Sequence, residues 1–541
     1  MRPLLSLLVG AMLCIASAVQ ADTLVIWASR GNLNEIIEAD KLPDGRQAHD
    51  VYRLVSLDTT YKFTGAITAT GDITVIGAVD PVTGRPPCIQ PAVLPDGTIP
   101  PTPFMLNGAG IKGTFKNLYL LAKATNNVAT ADGIAIQVSA DNVRLTVDNC
   151  VFDGWQSFAI GYNGNWDDFF VTNSYFRNMV HPNQWYIGEV IRNEWPGEAY
   201  TDTMSLVGNT MLCINGYAAC PVTKWYTRYF EFNDNKVLYT FKNPFFIFNV
   251  TEAKINGNVF YGTYAGGVDQ AEHPWWDNLW VPDTTYGVIA LQPLSEDNKT
   301  MFNPANPALA EGLRNVEVKN NIYFWPQALR DFWANWNSTQ TNWIRTPMWM
   351  NEPTMAMFAD DTNYPYLVES GNVNQDPGYM AAIDAAVLNG TTGNDIGLLR
   401  YFEQIRTGTA ATDVWGYSIT QVSGDDDWVP TWPLPEISSI SAAVQDKPAA
   451  LVPTAFAINR IYPNPFNPGT TVQYTLDAAG VTSLRVYNVL GQQVKTIVEN
   501  AFQNPSVYEV TVDMSECPSG LYFCVLRQGN NVAVQKMMLM K

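Results

Sequence analysis

Two periods organise the apolar positions of this chain. In NLNEIIEADKLPDG, residues 32–45, Leu33, Ile36 and Ile37 recur at helical spacing before a Pro-Asp-Gly stop, which predicts a short amphipathic helix. After it the period falls to two. Short alternating runs such as YRLVSL and ITVIGA, broken by Gly, Asp and Thr, read as consecutive strands.

Between residues 147 and 324 the alternation becomes a repeated phrase. VDNCVF (147–152), VTNSYF (171–176), LVGNTM (206–211), FNDNKV (232–237), INGNVF (255–260) and VKNNIY (318–323) share one grammar. An apolar residue and a second, mostly polar one are followed by Asn, Asp or Gly, then Asn, Ser or Cys, a variable residue and another apolar one. Successive phrases start 24, 35, 26, 23 and 63 residues apart. A strand that turns sharply and resumes as another strand wants Asn, Asp or Gly at the corner, because these tolerate left-handed backbone. Recurrence of that corner lets coils stack so that each strand pairs with its equivalents above and below. The expected fold is a right-handed parallel β-helix, with the long spacings as insertions and the helix at 32–45 as a lid on the first coil. With rungs about 4.8 Å apart, about eight to eleven coils would make a column roughly 40–50 Å long.

Residues 325–435 leave the repeat. WPQALRDFWANWNSTQTNWIRTPMWM is irregularly aromatic and AAIDAAVLNGTTGNDIGLLRYFEQIR suggests one or two short helices, together a covering layer for the column. VPTWPLPEISSISAAVQDKPAALVPTAF then reads as an extended linker. Beyond it TTVQYTL, SLRVYNV, VKTIVE, VYEVTVDM, GLYFCVLR and VAVQKMML alternate strictly, with hairpin turns at Gly491 and Gly529-Asn530-Asn531. Six short strands predict a small immunoglobulin-like β-sandwich. YPNPFNP (462–468) is expected to precede its first strand, its prolines keeping the entry extended and refusing to lengthen a sheet edge. The layout is therefore all-β: signal 1–21, cap 22–50, β-helix 51–330, covering layer 331–435, linker 436–455 and sandwich 456–541.

On these phrases, residues 30–385 resemble right-handed parallel β-helix proteins of the pectate-lyase type. NLNEIIEADKLPDG stands as their N-terminal cap, and VNQDPGY (373–379) as the Asp-Pro phrase that often follows the last coil. IYPNPFNPGTTVQYTL, LRVYNVLGQQVKTI, PSGLYFCVLRQGN and QKMMLMK closely resemble the C-terminal sorting domain of type IX secretion cargo, over residues 456–541. That resemblance implies passage across the outer membrane through the type IX machinery, with the cargo released or kept at the cell surface. Cys517 and Cys524 stand where that family has ordinary apolar or aromatic residues.

Composition agrees with export. MRPLLSLLVGAMLCIASAVQA has Arg2, an apolar run and small residues before a cut after Ala21, the pattern of a secretory signal, and no other apolar run is long enough to span a membrane. The formal charge of −19 repels phosphate backbones and anionic lipid, which excludes nucleic acid as a partner. Cleavage leaves Cys88, Cys150, Cys213, Cys220, Cys517 and Cys524, with Cys213/Cys220 and Cys517/Cys524 as the close pairs for disulfides.

Candidate chemistry is sparse. A polysaccharide lyase needs a cation, commonly calcium held by Asp and Glu, and a base near the α-proton. Asp167, Asp168, Glu189, Arg192, Glu194 and Lys254 lie in or beside coils and are the candidates, although no WIDH-like, GHG or RIK phrase accompanies them. Asp167 and Asp168 are adjacent on a strand and so point to opposite faces. His49, His181 and His273 are expected in loops, and Asp425, Asp426 and Asp427 in SGDDDW are the candidate calcium ligands. No cofactor is required by these residues unless calcium serves the lyase chemistry. The strongest binding signal is aromatic: Trp185, Tyr186, Trp195, Trp225, Trp275, Trp276 and Trp280 fall in inter-coil insertions and suit stacking against sugar rings. The expectation is a secreted or cell-surface module that binds a polysaccharide or acts in adhesion. A calcium-dependent lyase or related hydrolase, and a purely structural envelope protein, are the alternatives.

Overall fold

The computed structural model describes residues 22–378 and 456–540 apart from shorter stretches, the longest being 182–186, 194–199, 221–225, 264–267, 270–286 and 331–342. The signal 1–21, the linker 436–455 and most of the covering layer lie outside the described residues. The chain divides into two compact units, Met1–Ile440 and Ser441–Lys541.

In the first unit, from Val51 to Cys220, the strands rotate in turn among three parallel sheets; beyond Cys220 they alternate between the first two, and Val268–Asp269 forms a separate antiparallel pair with Trp343–Ile344. One turn of chain passes Phe158–Tyr162, Asp167–Thr172 and Tyr175–Met179 before returning to Glu189–Asn193 beside the strand it left. The first sheet has eleven strands, from Thr23–Ile26 to Leu367–Ser370; the second has ten, from Tyr61–Phe63 to Val373–Asn374; the third has six, from Ile67–Ala69 to Ala219–Cys220. This is the parallel β-helix that the repeat predicts. It is longer than 51–330: Thr23–Ile26 already pairs with Val51–Leu54, and Leu367–Ser370 continues the first sheet after Asn315–Lys319. Residues 331–366 are thus an insertion between two coils, which sequence alone reads as the column's end. The lid helix is Leu33–Ala39, with Leu33 and Ile37 buried against strands Tyr61–Phe63 and Ile67–Ala69.

Register puts like on like. Phe115, Val147, Val171, Leu206, Phe232, Ile255 and Val318 occupy one inward row of the first sheet, each fully buried. Phe152 and Phe176, partners on the second sheet, stack with centroids 4.8 Å apart. A single coil exposes this row, so only stacking buries it.

The corner between the first and second sheets carries the phrase. Its third residue is left-handed at Asn149, Asn173, Gly208, Asp234, Gly257 and Asn320. The same geometry recurs at Asn117 in FKNLYL and Gly371 in ESGNVN, two occurrences beyond the six phrases of the repeat. The fourth residue points inward and forms a ladder. Asn209, Asn235, Asn258 and Asn321 each pass a side-chain N–H to the next amide oxygen, ending at Asn372, at 3.0, 3.2, 2.9 and 2.8 Å. Each of those oxygens also accepts the backbone N–H of the asparagine one rung earlier, at 2.9 Å. The second side-chain N–H goes to a carbonyl across the corner, as from Asn258 to Phe232. Buried amides are therefore fully used. Ser174 and Cys150 open the row, with the Ser174 hydroxyl accepting from Cys150 N–H at 3.1 Å.

Buried charge also has a place. On the second sheet Arg177 bonds Asp153 at 2.7 and 2.9 Å and the Tyr119 hydroxyl at 2.9 Å, all sequestered from solvent. Burial pushes the Asp153 carboxyl up, but the Arg177 charge and the bonds from Tyr119, Arg177 and Asn178 outweigh it and hold it below the usual range.

The second unit is a seven-stranded antiparallel sandwich. One sheet orders Ala457–Tyr462, Gly469–Leu476 and Ser506–Asp513; the other orders Gln493–Gln503, Gly480–Asn488, Gly520–Gln528 and Asn531–Leu539. All six expected strands are present, and Ala457–Tyr462 is an extra one. YPNPFNP consequently follows the first strand instead of preceding it. Nor does it avoid a sheet edge. Phe466 is buried and exchanges backbone bonds with Met538 and Met540, while Asn464 bonds Lys536 O and Met538 N–H, so the phrase seals the edge strand Asn531–Leu539. Cys517 and Cys524 are free thiols, so this candidate pair is not bridged. Cys524 lies in Gly520–Gln528 and faces the core, where burial pushes its thiol to about 12, while Cys517 sits in a turn closed by Met514 O. The side chains of Cys213 and Cys220 lie outside the described residues.

Asn258→Ala removes both side-chain donors and the acceptor for two N–H groups of Asn235 in the middle of the ladder. Thermal unfolding of the full chain is expected to register a loss of about 2–4 kcal/mol in the first unit; a change within experimental error would refute the ladder's energetic role.

Candidate functional site

The seven aromatic candidates Trp185, Tyr186, Trp195, Trp225, Trp275, Trp276 and Trp280 lie outside the described residues, as do Glu194, His273 and Asp425, Asp426 and Asp427.

The five described catalytic candidates are dispersed. Asp167 is fully buried at the start of Asp167–Thr172, while Asp168 is half-buried on the opposite face of the strand, as alternation requires. Lys254 is exposed on the first sheet, aligned across rungs with Glu231 and Glu317. Only Glu189 and Arg192 meet, on the third sheet, at 3.0 Å. Glu189 is fully buried there, with Gly216 so close that a Cβ would lie 2.2 Å from its Cγ, and the Arg192 guanidinium sits 5.5 Å from the Phe158 ring centroid. A carboxylate enclosed in this way braces a corner. Among the described residues no group of three or more His, Cys, Asp and Glu can hold a metal ion. His49 bonds Asp40 at 2.7 Å, and His181 is buried and bonds Asp132 at 2.9 Å; burial lowers the His181 pKa despite that partner.

What the structure does assemble is the corner where the third sheet passes to the first. Asn142 N–H donates to Asn165 O at 2.8 Å, Trp166 N–H to Tyr200 O at 2.5 Å and Thr201 N–H to Tyr226 O at 3.1 Å, so equivalent corners stack rung on rung. Asn142 and Trp166 share the same left-handed backbone, φ 60° and 62°. Asparagine tolerates that region; for a bulky residue it is a genuine outlier, costing on the order of 1–3 kcal/mol. Trp166 is nevertheless 41% exposed, stacked on Tyr200 with centroids 5.2 Å apart and planes 18° from parallel. Tyr226 meets the Trp166 ring edge-on at 6.4 Å and continues to Phe302. Polar groups flank the strip. Asp141 accepts from Asn165 N–H at 2.8 Å, Arg228 pairs with Asp202, and the Arg144 guanidinium lies 4.5 Å from the Phe170 ring centroid beside Asp168.

Asp167 follows Trp166 and is fully buried at the start of the strand. Its Oδ1 accepts Val143 N–H at 2.8 Å, and its buried Oδ2 has no hydrogen-bond partner among the described residues. Burial, reinforced by Asp141 and Asp168 and opposed by the Val143 bond, raises its pKa to about 8. The acid is therefore protonated at neutral pH and supports the corner without charge. Because its folded pKa lies above the unfolded value, folding binds a proton, and stability falls as pH rises from about 4 to about 8. In Asp167→Asn that slope is expected to vanish: melting temperatures of variant and parent converge near pH 4 and separate, variant higher, toward pH 8.

No curated protein and no solved structure matches the chain. No helix among the described residues is long and apolar enough to cross a membrane. Residues 460–540, spanning the antiparallel sandwich apart from the start of its first strand, match the family described as the secretion system C-terminal sorting domain. The second unit is thus a type IX secretion sorting domain, and the protein that carries it is a parallel β-helix delivered by that system to the cell surface or beyond.

Proposed function

We propose that the β-helix is a carbohydrate-binding module, presented outside the cell, that engages sugar rings along the corner formed by Trp166, Tyr200 and Tyr226. One observation carries this reading: a tryptophan stands in a left-handed corner that asparagine fills one rung earlier, and its ring remains open to solvent. Strain kept for an exposed aromatic ring points to a ligand for that ring. A sugar's apolar face stacks on such a surface, and Asp141, Asn165 and Asp202 stand near enough along the corner to take hydroxyls. Trp195 and Trp225 precede Tyr200 and Tyr226 closely in sequence. An N-terminal secretory signal ending at Ala21 fits the export that the sorting domain requires.

Among the described residues, the separation of Asp167, Lys254 and the Glu189–Arg192 pair leaves the lyase or hydrolase alternative without an assembled acid and base. On a panel of neutral and acidic polysaccharides, Trp166→Ala is expected to weaken binding roughly tenfold, the scale of one lost stacking contact. Unchanged affinity across every glycan that the parent chain binds would remove the corner from the binding surface. Release of unsaturated products or new reducing ends would replace the module with an enzyme.

A further inference from the structure

We propose that the outward face of the four-stranded sheet in the sorting domain is the surface by which the export machinery holds this cargo, and that the partner is a protein surface apolar at its centre with carboxylates around it. The inference is independent of the glycan reading. It starts from a charge anomaly: of 51 acidic residues in the chain, none lies on the three adjacent strands Gly480–Asn488, Gly520–Gln528 and Asn531–Leu539. The domain over residues 456–541 carries six Lys and Arg against five Asp and Glu, in a chain of net charge −19.

Alternation sends Leu484, Val486, Cys524, Leu526, Met537 and Leu539 into the core, so their neighbours form the opposite face. There the register sets Arg485 beside Val525 and Val534, Arg527 beside Val532, and Lys536 beside Phe523. Val532, Val534 and Met538 are 48, 58 and 37% exposed. On these three strands an apolar face dotted only with cations is unusual for a surface that meets nothing but water. None of Arg485, Arg527 and Lys536 has an acidic partner among the described residues. Cations left without acidic partners on such a face suit carboxylates brought to it by a partner surface. The sorting domain is handled by a protein machine, so a protein surface is the occupant these features fit.

The test uses the full chain, expressed in a type IX-secreting host and followed by fractionation of medium, surface and periplasm. R485E/R527E is expected to lower the exported fraction at least roughly tenfold, since reversed charge at a complementary interface costs more than about 1.4 kcal/mol. The protein should accumulate in the periplasm with the protease resistance of the parent. R485K/R527K should restore export, and Thr511→Glu, exposed on the other sheet, should leave it unchanged. If the reversed variant is degraded, Val534→Lys, which alters only an exposed side chain, is read in the same assay with the same expectation. Export of either variant at the parental level overturns the proposal. So does flotation of the full chain with anionic vesicles that R485E/R527E abolishes, which would make a lipid surface the occupant.

Discussion

A buried amide answering the backbone of the neighbouring coil is the interaction on which this molecule depends. A corner that turns through left-handed geometry leaves N–H and C=O groups pointing into the column, where water cannot reach them. Asn209, Asn235, Asn258, Asn321 and Asn372 satisfy those groups and one another at the same time. Each rung thereby makes the next one possible. The apolar rows behind the ladder supply the larger energy, but they could tolerate sliding; the ladder permits one register.

The corner from the third sheet to the first follows a different rule. Among the described residues no inward amide ladder spans it, and its rungs hold Asn142, Trp166, Tyr200 and Tyr226 in turn. Freed from a repeating chemical demand, it can present side chains, and it bears the one conspicuous strain among the tryptophans described. The protonated Asp167 next to Trp166 in sequence fits this division of labour: it accepts a backbone N–H as an amide would, without placing a charge in the buried corner.

The two units differ in how their surfaces relate to charge. All but five of the 51 acidic residues precede residue 456. Acidic composition keeps the exported column soluble and away from anionic surfaces, while the sorting domain, near neutrality, is able to show cations and apolar groups together. The Pro-Asn phrase contributes to the same end by closing the edge strand Asn531–Leu539, which leaves the sheet's face and not its edge open to a partner.

The β-helix and the sandwich were legible because their causes are local. Left-handed corners select Asn, Asp and Gly, and alternation selects apolar residues, wherever they fall in the chain. The sequence by itself therefore determined the fold class, the inward rows, the opposite facing of Asp167 and Asp168, and the export domain. It could not reveal that Trp166, Tyr200 and Tyr226 share one corner, since coil lengths vary and only strand pairing sets their register. Nor could spacing show that Cys524 faces a core away from Cys517, or that Phe466 rests against a strand some seventy residues later. Those facts belong to the tertiary structure, because contact between distant residues is decided by how whole rungs and sheets align and not by any property of the residues taken singly.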